Sequence, residues 1–233
     1  MEDLEATVLT VLNDLLALPE EGMRLNLLCR RLFSLTDDDA AGFIDILCKM
    51  GTDNKAGPKA RALLVDQQGL KSVLGDKYRQ IYLASVRLGL HRVSRLFSEL
   101  RPYKKGLSGY EQEEEALMEF ITLGQRRSMS KGAVKDALDR LLSDPDPMVV
   151  ANLLDNQRIT EKEVLKIASK RPNSHEILRI ISVHRKWSRR YEVKRAIASN
   201  PYALPNTSIA ILGTLMTHDL KQIAGDKTLH PAV

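Results

Sequence analysis

The stretch ITEKEVLKIASKRPNSHEILRIIS, residues 159–182, contains nearly the same pattern twice. The segment EVLKIAS at 163–169 is matched by EILRIIS at 176–182, thirteen residues further along the chain. In both segments apolar residues recur at intervals of three and four, which is the spacing of one face of an α-helix. A short helix cannot bury such a face alone, so each segment requires neighbouring helices.

The residues before each segment have the spacing of a helix start. Thr160 and Glu163 form a capping-box pattern, in which each side chain accepts a hydrogen bond from the other residue's backbone N–H. Asn173 and Glu176 have the same spacing. Pro172 cannot continue the first helix, because proline lacks a backbone N–H and its ring clashes with the preceding turn. The stretch therefore predicts two short helices joined by a tight turn.

A longer similarity extends this pattern. VVANLLDN at 149–156 resembles VKRAIASN at 193–200, at an offset of 44 residues. This offset lies within the roughly 40–47 residues of HEAT and armadillo repeats. Repeats of this kind bury their apolar faces by stacking on one another in sequence order. The alternative is a globular helix bundle whose helices share the same capping chemistry.

The same part of the chain resembles a known class of proteins. DPDPMVVANLLDNQRITEKEVLKIASKRP at 144–172, continued by KWSRRYEVKRAIASNPYALP at 186–205, is similar to the HEAT-like helical-repeat proteins of bacteria. The resemblance covers roughly residues 115–225 and does not extend to the first hundred. It implies an all-α repeat fold and no particular activity.

The fold class that follows is all-α. We expect stacked antiparallel helices, with a HEAT-like α-solenoid in the C-terminal half and a helical N-terminal half. The segment RPYKKGLSGY at 101–110 combines proline, two glycines and a basic pair, which is typical of a linker. We therefore predict a helical N-terminal region at 1–105 and a helical-repeat domain at 111–233.

Several helix boundaries can be predicted from side-chain chemistry. Thr36 suits an N-cap, and so does Asp146, with Pro147 at the first helical position where a missing N–H costs nothing. Asn156 suits the left-handed residue that follows a helix. Residues 76–99 predict one helix.

Charge is distributed unevenly along the chain. The net charge of the whole protein is +5, with an apolar fraction of 43% that is ordinary for a globular protein. Residues 111–157 carry a net charge of −5, whereas residues 158–195 carry a net charge of +8. A local excess of this kind is a footprint for an anionic partner.

Catalytic and metal-binding patterns are missing from the sequence. The five histidines are scattered, and there is no HExxH pair, phosphate loop, GxGxxG or GxSxG motif. Cys29 and Cys48 each lie in an apolar helical context, which favours reduced, buried thiols. We therefore expect no enzyme activity, no metal, no cofactor and no small-molecule ligand. The acidic start and the absence of a long apolar run favour a cytoplasmic protein without a membrane span.

The stretch HRKWSRRYEVKR at 184–195 is the unusual feature, because it surrounds two aromatic residues with cations. Guanidinium groups can pair with phosphates or carboxylates through two parallel hydrogen bonds. The candidate binding residues are Arg185, Lys186, Trp187, Arg189, Arg190 and Lys194.

Two interpretations of this stretch remain open. Trp187 can stack on a base or pack in the core, and packing is favoured because a large aromatic side chain is usually buried. Ser188 can begin a helix with Arg189 and Arg190 in its first turn, where cations are slightly unfavourable against the helix dipole. The cations themselves form either a binding face or a solvated helix surface.

The functional expectation is a non-catalytic interaction or scaffold module. Its partner is expected to be a protein with an acidic surface, bound through a basic face of the C-terminal helices. The alternative is a HEAT-like protein that binds nucleic acid, of which a DNA glycosylase is the least favoured form.

Overall fold

The computed structural model describes residues 2–50, 56–106, 121–132 and 135–233. In these ranges the chain forms α-helices, one 3-10 turn at Trp187–Arg189 and no strand. The predicted all-α class is confirmed. Of the predicted linker, residues 101–106 are described and belong to no helix, while 107–110 lie outside the described residues.

The helices in chain order are α1 (Glu2–Ala17), α2 (Glu21–Ser34), α3 (Asp37–Lys49), α4 (Ala56–Leu63), α5 (Gln67–Leu74), α6 (Asp76–Arg87), α7 (His91–Leu96), α8 (Leu123–Gly132), α9 (Lys135–Leu141), α10 (Pro147–Asp155), α11 (Glu161–Ser169), α12 (His175–Val183), α13 (Tyr191–Ala198), α14 (Pro205–Leu212) and α15 (Thr217–Ala224).

These helices form two compact units. The first comprises Met1–Leu100 with Pro205–Thr214 and Ala232, and the second comprises Arg101–Leu204 with Leu215–Pro231 and Val233. Helix α14 packs against α4 and α7 within the first unit, although its sequence lies in the predicted C-terminal domain.

The first unit has a continuous apolar core. Helix α3 supplies Phe43, Ile44 and Leu47, all fully buried, and packs against α1 and α6. Its start is capped as predicted, because Thr36 Oγ1 accepts a hydrogen bond from the Asp39 N–H at 3.1 Å. The Lys77 ammonium group donates to the Leu35 carbonyl at 2.7 Å, which ties α6 to the end of α2.

The two cysteines lie in this first unit. Both are free thiols, and Cys29 is fully buried whereas Cys48 is partly buried. Burial raises the pKa of each thiol to about 11. Both side chains are therefore protonated at neutral pH.

The single helix predicted over 76–99 is wrong. Helix α6 ends at Arg87, and Gly89 follows with a φ of +67°. That left-handed conformation favours glycine, and it redirects the chain before α7 begins at His91. The apolar pattern continues across the break, so periodicity alone does not reveal it.

The second unit has regularly spaced helices. Helices α10, α11, α12 and α13 begin at Pro147, Glu161, His175 and Tyr191, at intervals of fourteen to sixteen residues. Helix α10 packs against α8 and α12, and α11 packs against α13. Helices two apart in the chain are therefore neighbours in space, and α13 begins 44 residues after α10, the offset of the sequence similarity.

Two predicted helix starts in this unit are confirmed. The Thr160 N–H donates to Glu163 Oε2 at 2.5 Å in a complete capping box. Asp146 Oδ1 accepts from the Val149 N–H at 3.0 Å, with proline at the first helical position. These side chains satisfy backbone donors that have no partner inside their own helices.

The predicted cap at Asn173 is wrong. The N-cap of α12 is Ser174, whose Oγ accepts from the Glu176 N–H at 3.2 Å. Asn173 is buried, and its Nδ2 donates to the Ile167 carbonyl at 2.7 Å. The Ile167 carbonyl also accepts from the Lys170 N–H at 3.4 Å, so the Asn173 amide is a second donor to the end of the preceding helix.

The predicted left-handed conformation of Asn156 is also wrong. This residue has a φ of −68° and a ψ of 130°, an extended conformation. Its side chain accepts from the Arg158 N–H at 3.0 Å, as Asn200 Oδ1 does from the Tyr202 N–H at 3.1 Å. Asn200 Nδ2 also donates to the Ala168 carbonyl at 2.8 Å. The matching asparagines therefore close their helices through side-chain hydrogen bonds.

Candidate functional site

The turn between α12 and α13 carries most of the predicted binding residues. Its backbone contains a short 3-10 turn in which the Arg190 N–H donates to the Trp187 carbonyl at 3.0 Å. Helix α13 begins only at Tyr191, with Arg190 as its N-cap. The predicted helix start at Ser188 is therefore wrong, and Arg189 does not lie in a first turn of α-helix.

Trp187 anchors this turn. Its side chain is only 2% exposed, and its Nε1 donates to the Leu154 carbonyl at 2.9 Å. That carbonyl is near the end of α10, where backbone acceptors lack partners within the helix. The packing interpretation of Trp187 is confirmed, and the buried indole presents no face for stacking on a base.

A histidine–carboxylate contact and an ion pair hold the turn against the neighbouring helices. His184 Nε2 lies 3.2 Å from Asp155 Oδ1, at the ends of α12 and α10. Arg190 Nε lies 3.7 Å from Glu161 Oε2, at the starts of α13 and α11. The turn at 156–160 therefore lies beside the turn at 184–190.

Four exposed cations project from these two turns. Arg185 and Arg189 are exposed, and Lys186 has its Nζ 4.0 Å from the centroid of the Trp187 ring. Arg158, which the sequence analysis did not single out, is exposed in the adjacent turn. None of the four forms an ion pair with a carboxylate in the described ranges. We call Arg158, Arg185, Lys186 and Arg189 the basic corner.

The other predicted cations have different surroundings. Arg190 is engaged with Glu161, as described above. Lys194 is half-buried on α13, and burial lowers the pKa of its ammonium group. Of the six predicted residues, Arg185, Lys186 and Arg189 are therefore exposed without an ion pair among the described residues, Arg190 is exposed but paired, and Trp187 and Lys194 are buried or half-buried.

A cleft in the second unit was not predicted. It has a volume of about 390 Å³ and is formed by α11, α13 and α15 with the residue that follows α13. Its polar residues are far apart in the chain, so no local sequence pattern indicates them. The lining residues are Leu165, Ser169, Glu192, Arg195, Ala196, Ser199, Asp219, Gln222 and Ile223.

Asp219 is the most buried polar residue of this cleft, with 2% of its surface exposed. Its Oδ2 accepts a hydrogen bond from the Tyr191 hydroxyl and lies 3.2 Å from His218 Nε2. The Tyr191 oxygen in turn accepts from the Met216 N–H at 3.0 Å. The Tyr191 hydrogen bond lowers the pKa of Asp219, so this carboxyl group is ionised at neutral pH.

Arg195 links the two carboxylates of the cleft. One of its terminal nitrogens lies 2.7 Å from Glu192 Oε2, and the other lies 3.5 Å from Asp219 Oδ1. The hydrogen bond to Glu192 raises the pKa of the guanidinium group. The arrangement can hold charged or hydrogen-bonding groups, but it contains no nucleophile paired with a base.

Three general properties complete the description. The described helices include none that is long and apolar enough to cross a membrane. Within the same ranges no three His, Cys, Asp or Glu residues are grouped as metal ligands. No family model, curated protein or solved structure matches the chain.

Proposed function

We propose that this protein is a non-catalytic interaction module that binds an acidic protein surface through the basic corner. We further propose that its second unit is a HEAT-like α-solenoid, in which successive helices stack and leave their connecting turns free for binding. The packing of α10 on α12 and of α11 on α13 supports this arrangement.

The observation that carries the proposal is the imbalance of charge at the two adjacent turns. Asp155 and Glu161 flank these turns, and each already contacts a side chain, His184 or Arg190. The four cations of the basic corner are left without a carboxylate among the described residues. An exposed arginine without an ion-pair partner can donate two parallel hydrogen bonds to a carboxylate.

The rigidity of the turn supports a binding role. The Trp187 indole and the His184–Asp155 contact fix the backbone that carries Arg185 and Arg189. Groups held in place before binding lose less conformational entropy when a partner arrives. Clustered cations also accelerate the encounter with an acidic surface.

A protein partner fits this surface better than nucleic acid. The four cations of the basic corner lie on two adjacent turns, which is a small patch for a phosphate backbone to track across. An acidic protein patch needs to match only the four projecting cations. Trp187 also offers no stacking surface, which removes one of the two features that favour nucleic acid.

The experiment compares the full chain with an Arg185→Glu/Arg189→Glu variant in affinity purification. Proteins retained by the full chain are then mixed with the purified protein and treated with a carbodiimide, which joins ammonium groups to carboxylates in contact. We expect a cross-link between Lys186 and an aspartate or glutamate of the partner. We also expect affinity to fall at least tenfold in the variant, or about 1.4 kcal/mol.

The matched control is Lys59→Glu/Arg79→Glu, which makes the same change of net charge at exposed positions of the first unit. This variant should retain the partner. If the Arg185→Glu/Arg189→Glu variant retains the partner protein as well as the full chain does, the proposal is contradicted. Tight binding to a duplex DNA at about 50 mM salt, weakening steeply as salt is added, would instead establish the nucleic-acid alternative.

A further inference from the structure

The seam between α11 and α13 leads from the basic corner to the cleft. Glu161, Leu165 and Ser169 recur every four residues, so they lie on one face of α11. Glu161 contacts Arg190 at the start of this seam, beside the two turns that form the basic corner. Leu165 and Ser169 line the cleft further along the same face. A partner bound at the corner therefore has the cleft as its neighbouring surface.

Helix α13 gives the distance between the corner and the cleft. Arg190 is the N-cap of this helix and follows Arg189 of the corner, while Ala196 lines the cleft. Positions 190 and 196 are six residues apart in the chain. At a helical rise of about 1.5 Å per residue this separation is about 9 Å. An extended chain covers that distance with about three residues.

The charged groups of the cleft are already paired with one another. One terminal nitrogen of Arg195 lies 2.7 Å from Glu192 Oε2, and the other lies 3.5 Å from Asp219 Oδ1. Asp219 is 2% exposed, so a ligand does not reach its carboxylate. The accessible wall of the cleft is the apolar surface of Leu165 and Ala196, which are half-buried. This surface fits an apolar group better than a charged one.

The size of the cleft fits a large side chain. Its volume is about 390 Å³, and an apolar cavity of about 150 Å³ already binds a benzene molecule. The ring of a phenylalanine therefore has room in it. Aromatic side chains buried in such pockets contribute much of the binding energy of protein interfaces.

We propose that the partner of the basic corner also inserts one large apolar side chain into this cleft. Acidic residues of the partner contact Arg185 and Arg189, and the apolar residue lies about three positions away from them in the partner's chain. This inference rests on the proposed function, because the corner must first hold the acidic residues. It adds a requirement for specificity, since an acidic segment without the apolar residue is held by the corner alone.

The test is an NMR titration of the ¹⁵N-labelled full chain with synthetic peptides, at about 50 mM salt to limit the screening of charges. The phenylalanine peptide consists of three glutamates, two glycines and a phenylalanine in that order, with blocked ends. The alanine peptide replaces the phenylalanine, and the glutamine peptide replaces the glutamates. Each peptide is made in both chain directions.

We expect the phenylalanine peptide, in one of its two directions, to bind at least tenfold more tightly than the alanine and glutamine peptides. It should also produce saturable shifts of the Ser169 and Ser199 amides, which belong to residues that line the cleft. The alanine peptide should leave these two amides unshifted.

Two variants test the contact with the cleft. Ala196→Phe places a ring inside the cleft, and Ser169→Phe covers it from an exposed position where the risk to folding is small. Each should weaken the phenylalanine peptide to the affinity of the alanine peptide. Each should leave binding of the alanine peptide within about twofold, because that peptide does not reach the substituted site. Arg185→Glu/Arg189→Glu should weaken both peptides.

Equal binding of the phenylalanine and alanine peptides would overturn the inference. Unchanged binding of the phenylalanine peptide by the folded Ala196→Phe and Ser169→Phe variants would do the same. In both cases the proposed function stands if the glutamate peptides still bind and Arg185→Glu/Arg189→Glu weakens them. If no peptide binds, the inference is overturned, and retention of the affinity-purified partner then decides the proposed function separately.

Discussion

The second unit contains two Arg-Arg dipeptides, Arg126–Arg127 and Arg189–Arg190, which differ in their ion pairing. Arg126 Nε lies 2.9 Å from Asp144 Oδ2, and Arg127 makes two hydrogen bonds to the Asp146 carboxylate at 3.1 and 2.9 Å. Arg190 reaches Glu161 only at 3.7 Å, and Arg189 forms no ion pair in the described part of the chain. Both arginines are therefore paired in the first dipeptide, whereas only Arg190 is paired in the second.

The difference arises from the carboxylates that the chain supplies. The sequence DPDP at 144–147 places two aspartates on a proline-restricted backbone opposite the first pair. Among the described residues, no carboxylate forms an ion pair with Arg189. Local charge counts therefore do not identify a binding surface, whereas the pairing of each cation does.

The largest effect on stability is expected at Trp187, which anchors the basic corner. Trp187→Ala removes a fully buried indole together with its hydrogen bond to Leu154, and should lower the free energy of unfolding by about 3–5 kcal/mol. Trp187→Phe retains most of the packing and should cost less than half as much. Urea denaturation followed by circular dichroism measures both. A loss below about 1 kcal/mol for the alanine variant would show that the corner is not anchored by this residue.

The next largest effect on stability is expected at the ion pair of Arg126 and Asp144. Asp144 is 1% exposed in its side chain and Arg126 is 11% exposed, so Asp144→Ala leaves a guanidinium group buried without its carboxylate. We expect the free energy of unfolding to fall by about 3 kcal/mol. Denaturant unfolding provides the measurement.

A double variant separates the charge from the packing at this pair. Arg126→Met/Asp144→Leu replaces both ions by apolar side chains of similar volume and should recover most of the stability. If the double variant is as unstable as Asp144→Ala, the ion pair is not the source of the loss.

The sequence predicted the helices of the second unit better than their ends. Thr160 and Asp146 were correctly assigned as caps, because a side-chain oxygen just before an apolar run can accept from the free N–H groups of the first helical turn. The cap predicted at Asn173 and the left-handed conformation predicted at Asn156 were wrong, because an amide side chain can donate as well as accept hydrogen bonds. The partner to which the amide donates depends on which carbonyl lies nearby, and that is set by the packing of the helices.

The site was predictable only in part, for a related reason. Exposure of Arg185, Lys186 and Arg189 follows from a cationic run in a turn. The pairing of Arg190 with Glu161 requires two helix starts to be adjacent, and the cleft requires Asp219 to meet Arg195 across the fold. Contacts between residues so far apart in the chain leave no periodic signal to detect.

A smaller effect is expected from acid at the Asp219 cluster. The Tyr191 hydrogen bond lowers the pKa of Asp219 below its ordinary value of 3.8, so its ionised form stabilises the folded state. That contribution is complete above about pH 5 and is lost as the pH falls through the folded-state pKa. The advantage in unfolding free energy over Asp219→Asn should therefore shrink below about pH 4.

The comparison is best made in a His218→Gln background, because His218 lies 3.2 Å from the same carboxylate. Unfolding free energies at pH 7, 5 and 3.5 give the profile. An advantage that grows on acidification would show that the carboxyl group is stabilised in its protonated form instead.

The smallest effect on stability is expected at Arg189, where the contrast between the two arginine pairs is sharpest. Arg189 is exposed and forms no ion pair with a described residue, so Arg189→Ala should change the free energy of unfolding by less than about 0.5 kcal/mol. Arg126→Ala, by contrast, leaves the buried Asp144 carboxylate unpaired and should cost several times more. If Arg189→Ala leaves the stability unchanged but weakens partner binding, the cation serves recognition, because its charge does not stabilise the unit. A destabilisation by Arg189→Ala comparable to that by Arg126→Ala would mean that both arginine pairs are structural, and the basic corner would lose its basis.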